Sequence, residues 1–290
     1  MITSEGMQFD RAVITGAAGM LGTALLDRQP ESLTVTGVDL VDGDLGDLAQ
    51  AEAVLTPHEP QVVIHCAAYA DVDGCSRDPE KAFHDNALAT ENVAKVCARL
   101  GARLLILGTD YVFDGTKRTP YTETDPPHPL NPYGESKLAA EQRAFRALAD
   151  LLVVRTQWLY GPAGRNFVAA VVQRAKDQGE LRVVADQWGS PTYTRDLAPA
   201  LWQAALAPAR GIIHLTGSGS CSWADLAEEA VRAAGLENIK LERISAADWP
   251  TPTIRPSYSV LDNRRWLRLG FAPLRPWQEA VGEYAREYLG

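Results

Sequence analysis

"RAVITGAAGMLGTALL", residues 11–26, decides the fold of this chain. A run of apolar and β-branched residues ends at Thr15; Gly16, Gly19 and Gly22 follow, and an amphipathic pattern begins near Met20. The run reads as a buried strand and the pattern as a helix, so the glycines occupy the turn between them. The first glycine permits a tight turn, the second lets the backbone approach a pyrophosphate, and the third lets the helix lie close to the sheet. A phosphate would sit at the helix N-terminus, where unpaired N–H groups and the dipole favour negative charge. Gly16, Gly19, Met20, Leu21 and Gly22 are therefore the expected cofactor-binding residues of this loop.

The same rhythm continues outward. "LTVTGVD" (33–39), "QVVIH" (61–65), "ARLLILGT" (102–109) and "LLVVRT" (151–156) read as further strands, with helical patterns near 20–28, 47–55, 79–100 and 133–148. Continuous apolar strands alternating with helices predict an α/β fold, a Rossmann-type doubly wound parallel sheet with right-handed crossovers. Beyond residue 156 the alternation loosens. Helices are expected at 166–179, 194–206, 222–235 and 276–289, and strands at 181–184 and 211–217. Ser222, with Asp225 three residues on, reads as a helix cap, and the proline-rich stretch 248–259 as loop. The expected division is a dinucleotide-binding domain over 1–160 and a smaller, mainly substrate-binding C-terminal region over 161–290, with elements returning to the main sheet.

Composition narrows the function. The 290 residues are 46% hydrophobic and 22% charged, with a net charge of -9 and no basic run, which argues against a nucleic-acid partner. Cys66, Cys75, Cys97 and Cys221 form no CxxC pair and, with the histidines, no zinc-ligand spacing, so free thiols and no metal site are expected. The N-terminus lacks a basic segment followed by an apolar stretch, and no apolar run is long enough to span a bilayer. A cytoplasmic protein with no membrane partner is the expectation.

Two further stretches carry chemistry. Asp39 ends the second strand, where a carboxylate can accept from ribose hydroxyls; no arginine follows it to receive a 2′-phosphate, which leans toward NADH or tolerance of both cofactors. "NPYGESKLAAE" (131–141) places Tyr133 and Lys137 on one helical face, about 6 Å apart along the axis. A neighbouring ammonium and a positive nicotinamide ring would bring the phenol toward a working pKa, so that it can give a proton to a carbonyl oxygen. Thr109, at the end of the fourth strand, would steady the same oxygen. His65, His214 and Cys66 read as core residues.

With the glycine loop, "GTDYVFDG" (108–115), "PLNPYGESKLAAE" (129–141), "VVRTQWLYG" (153–161), "DQWGSPTYTRDLA" (186–198) and "RPSYSVLDN" (255–263), the chain resembles the extended short-chain dehydrogenase/reductases, and among them the dTDP-4-dehydrorhamnose reductase family. The resemblance implies reduction of the C4 ketone of dTDP-4-dehydro-L-rhamnose by NADPH or NADH, with Thr109, Tyr133 and Lys137 as the catalytic set. It implies Asp39, Asp44, Leu45, Ala67, Ala68 and Tyr69 around the adenosine and ribose, and Asp110, Tyr111 and Trp158 toward the sugar. The chain departs at Ala70 and Tyr258, where threonine and asparagine are usual. A sugar pyrophosphate needs cations, for which Arg255 is the first candidate and Arg165 the second. A homodimer is compatible with the resemblance. The rival readings are another keto-sugar reductase, a 4-epimerase, and a cofactor-binding regulatory subunit similar to the methionine adenosyltransferase β subunit.

Overall fold

The computed structural model describes residues 9–249 and 251–290. The leader expectation rests partly on residues 1–8, and there lies outside the described residues, as does Pro250 of the proline-rich loop. The chain opens with β1 (Arg11–Thr15), α1 (Met20–Asp27), β2 (Thr34–Val38), α2 (Leu48–Leu55) and β3 (Val62–His65). It continues through α3 (Val72–Arg77), α4 (Pro79–Ala82), α5 (Ala89–Leu100), β4 (Arg103–Thr109), α6 (Pro132–Ala147) and β5 (Leu151–Thr156).

In the later part, β6 (Leu159–Tyr160), α7 (Phe167–Gln178), β7 (Glu180–Val184), β8 (Trp188–Gly189) and β9 (Thr192–Tyr193) come first. Next are α8 (Thr194–Leu206), β10 (Gly211–His214), β11 (Cys221–Ser222), α9 (Trp223–Ala233), β12 (Lys240–Ile244), α10 (Arg264–Arg268) and α11 (Trp277–Tyr288).

Six strands form one parallel sheet in the order β10-β5-β4-β3-β1-β2. Every residue of β3 and β5 is buried, as strands covered on both faces require. Leu21, Leu25, Leu197 and Leu201 of α1 and α8 pack one face. Val54, Leu55, Val93 and Cys97 of α2 and α5 pack the other. The chain leaves β1 for β2 on one side and returns to β3 on the other, so the sheet opens a crevice above the carboxyl ends of β1 and β3. β10 joins the sheet beside β5 in parallel register, Ile213 opposite Val154. A further core gathers Tyr160, Val168, Leu226, Trp277 and Val281 between α7, α9 and α11.

Two local readings need correction. The single helical pattern at 79–100 is three pieces: α4, a π-helical segment over Phe83–Leu88, and α5. A π turn inserts a residue and rotates the helix beyond it, and here it buries Asn86 completely. β12 was not expected, because "KLERI" carries three charged residues; it pairs in parallel with β7 away from the main sheet, leaving those side chains outside. The cap at α9 is a full capping box between Ser222 and Asp225. No helix among the described residues is long and apolar enough to cross a membrane.

Candidate active site

The crevice begins at Gly16, whose φ of +67° favours glycine and whose added Cβ would lie 2.6 Å from the Ala67 backbone nitrogen. Gly22, in the first turn of α1, would press a Cβ onto the Gly16 carbonyl, so the helix can start this close only without one. Gly19 is the N-cap and offers no side-chain acceptor. The amides at the start of α1 therefore remain available to an anion. Met20, Leu21 and Gly22 form that first turn; Leu21 turns its side chain into the core. A cleft of about 360 Å³ is lined by Gly16, Gly19, Asp39, Asp44, Leu45, Ala67, Ala68 and Tyr69, with Cys66 at its wall. Burial pushes the Cys66 thiol up to about 12, which leaves it a packing group.

Asp39 does more than end a strand. Its Oδ2 accepts from the Ala18 amide at 2.8 Å and its Oδ1 from the Leu40 amide at 2.8 Å, clamping the glycine loop to the end of β2. Asp42 accepts from the Asp39 amide at 2.8 Å, so two carboxylates stand on this rim. Lys81, which sequence reasoning missed, also lines the cleft but is held to Asp85 at 2.5 Å.

α6 starts where the sequence says it should. Asn131 accepts from the Gly134 amide at 2.9 Å, and Pro132 occupies the first turn. Tyr133 and Lys137 follow one turn apart. Lys137 is 6% exposed, and burial pushes its ammonium down to about 8 against the opposing charge of Glu141. The Tyr133 phenol faces Thr109, at the end of β4. Burial raises its pKa; hydrogen bonding by Thr109 opposes the rise, and the Asp110 charge adds to it. Desolvation dominates and Lys137 does not offset it, so the phenol is held protonated; the expected lowering invoked a nicotinamide ring as well.

Behind this pair runs a buried polar chain that sequence reasoning did not assemble. Thr15 Oγ1 meets His65 Nδ1 at 2.7 Å, and His65 Nε2 meets Thr90 Oγ1 at 3.1 Å. Thr90 donates to the Asn86 carbonyl at 2.6 Å, Asn86 Nδ2 to Ser136 at 2.9 Å, and Ser136 to the Tyr133 carbonyl at 2.8 Å. Burial pushes His65 down to about 3, so this link is neutral. The signal was present in "HDNALAT", where Asn86 and Thr90 lie four apart in an apolar helical pattern. His214 is also fully buried.

On the substrate side, the Tyr111 ring meets Tyr133 edge-on at 5.5 Å. Trp158 takes φ of +49° and stacks on Trp223 at 3.5 Å; Gly189 allows β8 to lie against its ring. Trp223 belongs to a second cavity of about 700 Å³, lined also by Phe167, Arg174, Arg182, Trp249 and Arg255. Arg255 is paired with Asp73 at 3.0 Å and reaches the Tyr111 hydroxyl. Arg174, Arg182 and Trp249 were missed, for nothing local marks them; Arg165 is exposed and lines neither cavity. Asp110 lies beneath Thr109 rather than in the open cleft, 1% exposed, taking hydrogen bonds from Thr109 at 3.2 Å and from Ser259 at 2.5 Å.

The chain is 41% identical over 286 residues to the dTDP-4-dehydrorhamnose reductase of Streptomyces griseus, covering 94% of this chain and 92% of that protein. It is 40% identical to a probable dTDP-4,6-dihydroxy-2-methyloxan-3-one 4-ketoreductase of Streptomyces antibioticus, covering 94% of each. The crystal structure of dTDP-4-dehydrorhamnose reductase from Bacillus anthracis in complex with NADP superposes with a TM-score of 0.93 at 34% identity, covering 96% of this chain and 99% of that one. The family described as the RmlD substrate binding domain matches residues 10–289, and the chain belongs to it.

Proposed function

We propose that this chain reduces the C4 ketone of dTDP-4-dehydro-L-rhamnose to dTDP-L-rhamnose, with NADPH or NADH as cofactor. The observation that carries the reading is a half-buried Tyr133 that faces Thr109, one turn from the buried Lys137, in a fold whose glycine loop opens a cleft with room for a dinucleotide. The cleft fits that group on steric grounds. Gly16 and Gly22 leave the space a pyrophosphate backbone needs, and the α1 amides have no side-chain cap. Gly16, Gly19 and the first turn of α1 would hold the phosphates, and Asp39, Asp44, Leu45, Ala67, Ala68 and Tyr69 the adenosine and ribose. Once bound, reduced nicotinamide supplies hydride.

The chain's own residues do the rest. Tyr133 gives its proton to the ketone oxygen, Thr109 orients that oxygen, and the Lys137 ammonium steadies the negative charge and holds a ribose. Trp158 offers an aromatic face to the apolar side of the deoxysugar. Residues 1–160 hold the cofactor. Residues 161–290 hold most of the substrate, its base against Trp223 and Trp249 and its pyrophosphate near Arg174, Arg182 and Arg255. A cytoplasmic location and a homodimer belong to the same reading.

The relative from Streptomyces antibioticus supports a second one, reduction of a different dTDP-linked keto-sugar by the same site. Both are tested by incubating the purified protein with a panel of nucleotide keto-sugars and each reduced nicotinamide. Stoichiometric cofactor oxidation, fastest with the rhamnose precursor, is expected. Conversion without net oxidation, with nicotinamide retained after purification, would show a 4-epimerase instead.

A further inference from the structure

We infer that Asp110 is the inner end of a proton relay that runs through Thr109 Oγ1 and refills the Tyr133 phenol during turnover; this rests on the reductase reading above. Asp110 is 1% exposed, so a bound sugar cannot reach its carboxylate and bulk water cannot serve it directly. Its Oδ1 is 3.2 Å from Thr109 Oγ1, and the threonine hydroxyl in turn faces the Tyr133 phenol. Its Oδ2 is 2.5 Å from Ser259 Oγ, which also neighbours Gln157 Oε1 at 3.4 Å and the Trp188 carbonyl at 3.5 Å. Both hydrogen bonds to the carboxyl come from neutral hydroxyls and favour the carboxylate, but among the described residues no cation pairs with it, and its burial favours the acid form.

The charged and titratable groups around it are few. α6 presents Tyr133, the turn after β4 presents Tyr111, and the 251–259 segment presents Arg255 against the Tyr111 hydroxyl. Further off, α6 and β5 carry Lys137 and the Glu141–Arg155 pair, which neutralises itself. Burial pushes the Asp110 carboxyl up to about 7, with hydrogen bonds from Ser259 and Thr109 opposing the rise. Both protonation states are then populated near neutrality.

The step balances. Hydride brings two electrons to the ketone carbon, and the Tyr133 O–H bond breaks as the new alcohol O–H bond forms. The phenolate takes the Thr109 hydroxyl proton, and Thr109 Oγ1 takes the carboxyl proton of Asp110. The negative charge ends on Asp110 as a carboxylate. After the product leaves, Tyr133 passes its proton back to Thr109 Oγ1 as it takes one H+ from bulk solvent through the open cleft, and Thr109 passes a proton on to the Asp110 carboxylate.

The test is the pH dependence of kcat in both directions for wild type, Ser259→Ala and Asp110→Asn. Reduction should fall as pH rises through the Asp110 titration, because the donor is emptied. Oxidation of the alcohol should rise through the same midpoint. Ser259→Ala removes a hydrogen bond that favours the carboxylate, so both midpoints should move to higher pH with KM little changed. Asp110→Asn should abolish the pH limb and lower kcat by about tenfold, less than the loss of a direct general acid. A Ser259→Ala enzyme slowed equally at every pH with its midpoint unmoved would overturn the relay, and this comparison decides even where Asp110→Asn does not fold. Wild-type turnover with an unmoved midpoint counts against the relay alone. No wild-type turnover on any keto-sugar would overturn the reductase reading and the relay together.

Discussion

Arg155 on β5 grips Glu141 on α6 through two hydrogen bonds, at 2.9 and 2.6 Å, with both side chains at most 3% exposed. Glu141 is one turn beyond Lys137, so this pair fixes the helix that carries Tyr133 and Lys137 against the sheet. Gly108, just before Thr109, makes room for it: an added Cβ would lie 2.7 Å from Glu141 Oε1 and from Arg155 Cγ. The pair thus couples three sides of the site through packing.

Breaking a buried pair by removing one partner leaves an uncompensated charge, at a cost of about 3–5 kcal/mol. Glu141→Gln should therefore lower unfolding free energy by about that amount in a denaturant titration. Loss of less than about 1 kcal/mol would mean the pair is solvated in solution.

Lys137 should cost stability rather than add it. Burial lowers its folded-state pKa from an ordinary 10.5 to about 8, so the charged ammonium is disfavoured in the native state. That drop corresponds to roughly 3 kcal/mol, at about 1.4 kcal/mol per pH unit. The penalty is full below about pH 8 and shrinks as pH rises toward 10.5, where only the unfolded chain still binds the proton. Lys137→Met should be inactive yet more stable than wild type at pH 7, and the gap should narrow by pH 10. A destabilised variant at pH 7 would show that the ammonium makes favourable contacts instead.

Much of this was legible in the sequence because it rests on local rules. The glycine spacing and the Ser222-Asp225 capping box each follow from what one turn of backbone needs. Strands buried on both faces announced themselves as apolar runs. The hidden features depend on distant partners. Nothing near Asp39 says that its carboxylate closes on the Ala18 amide, and nothing near Ser259 says that it meets Asp110, 149 residues away. The π segment was invisible because its apolar spacing is that of an ordinary helix, and β12 because its exposed charges mask the strand period.

The rim formed by Asp39 and Asp42 should disfavour a 2′-phosphate. A like-charge contact near a protein surface costs about 1–4 kcal/mol. NADH should therefore show a kcat/KM about tenfold above that of NADPH, where tenfold is about 1.4 kcal/mol. Asp39→Asn should narrow the ratio while weakening use of both, since the glycine loop loses a charged clamp. Preference for NADPH in the wild type would place the ribose away from this rim.

Gly189→Ala probes the wall behind the sugar. Its Cβ would collide with the Trp158 ring, which is already held at positive φ and stacked on Trp223. Overpacking of this kind costs about 1–3 kcal/mol. The displaced ring should raise KM for the sugar nucleotide with cofactor affinity unchanged, and steady-state kinetics with each substrate varied separates the two. An unchanged KM would remove Trp158 from the sugar site.

Single-turnover reduction of dTDP-4-dehydro-L-rhamnose by Tyr133→Phe, with reduced nicotinamide bound beforehand, addresses the proton donor itself. The expected result is normal cofactor binding with the rate of nicotinamide oxidation down by about 10²–10⁴-fold, the usual contribution of a positioned general acid. A phenylalanine variant that oxidises its cofactor at the wild-type rate would contradict the assignment of Tyr133.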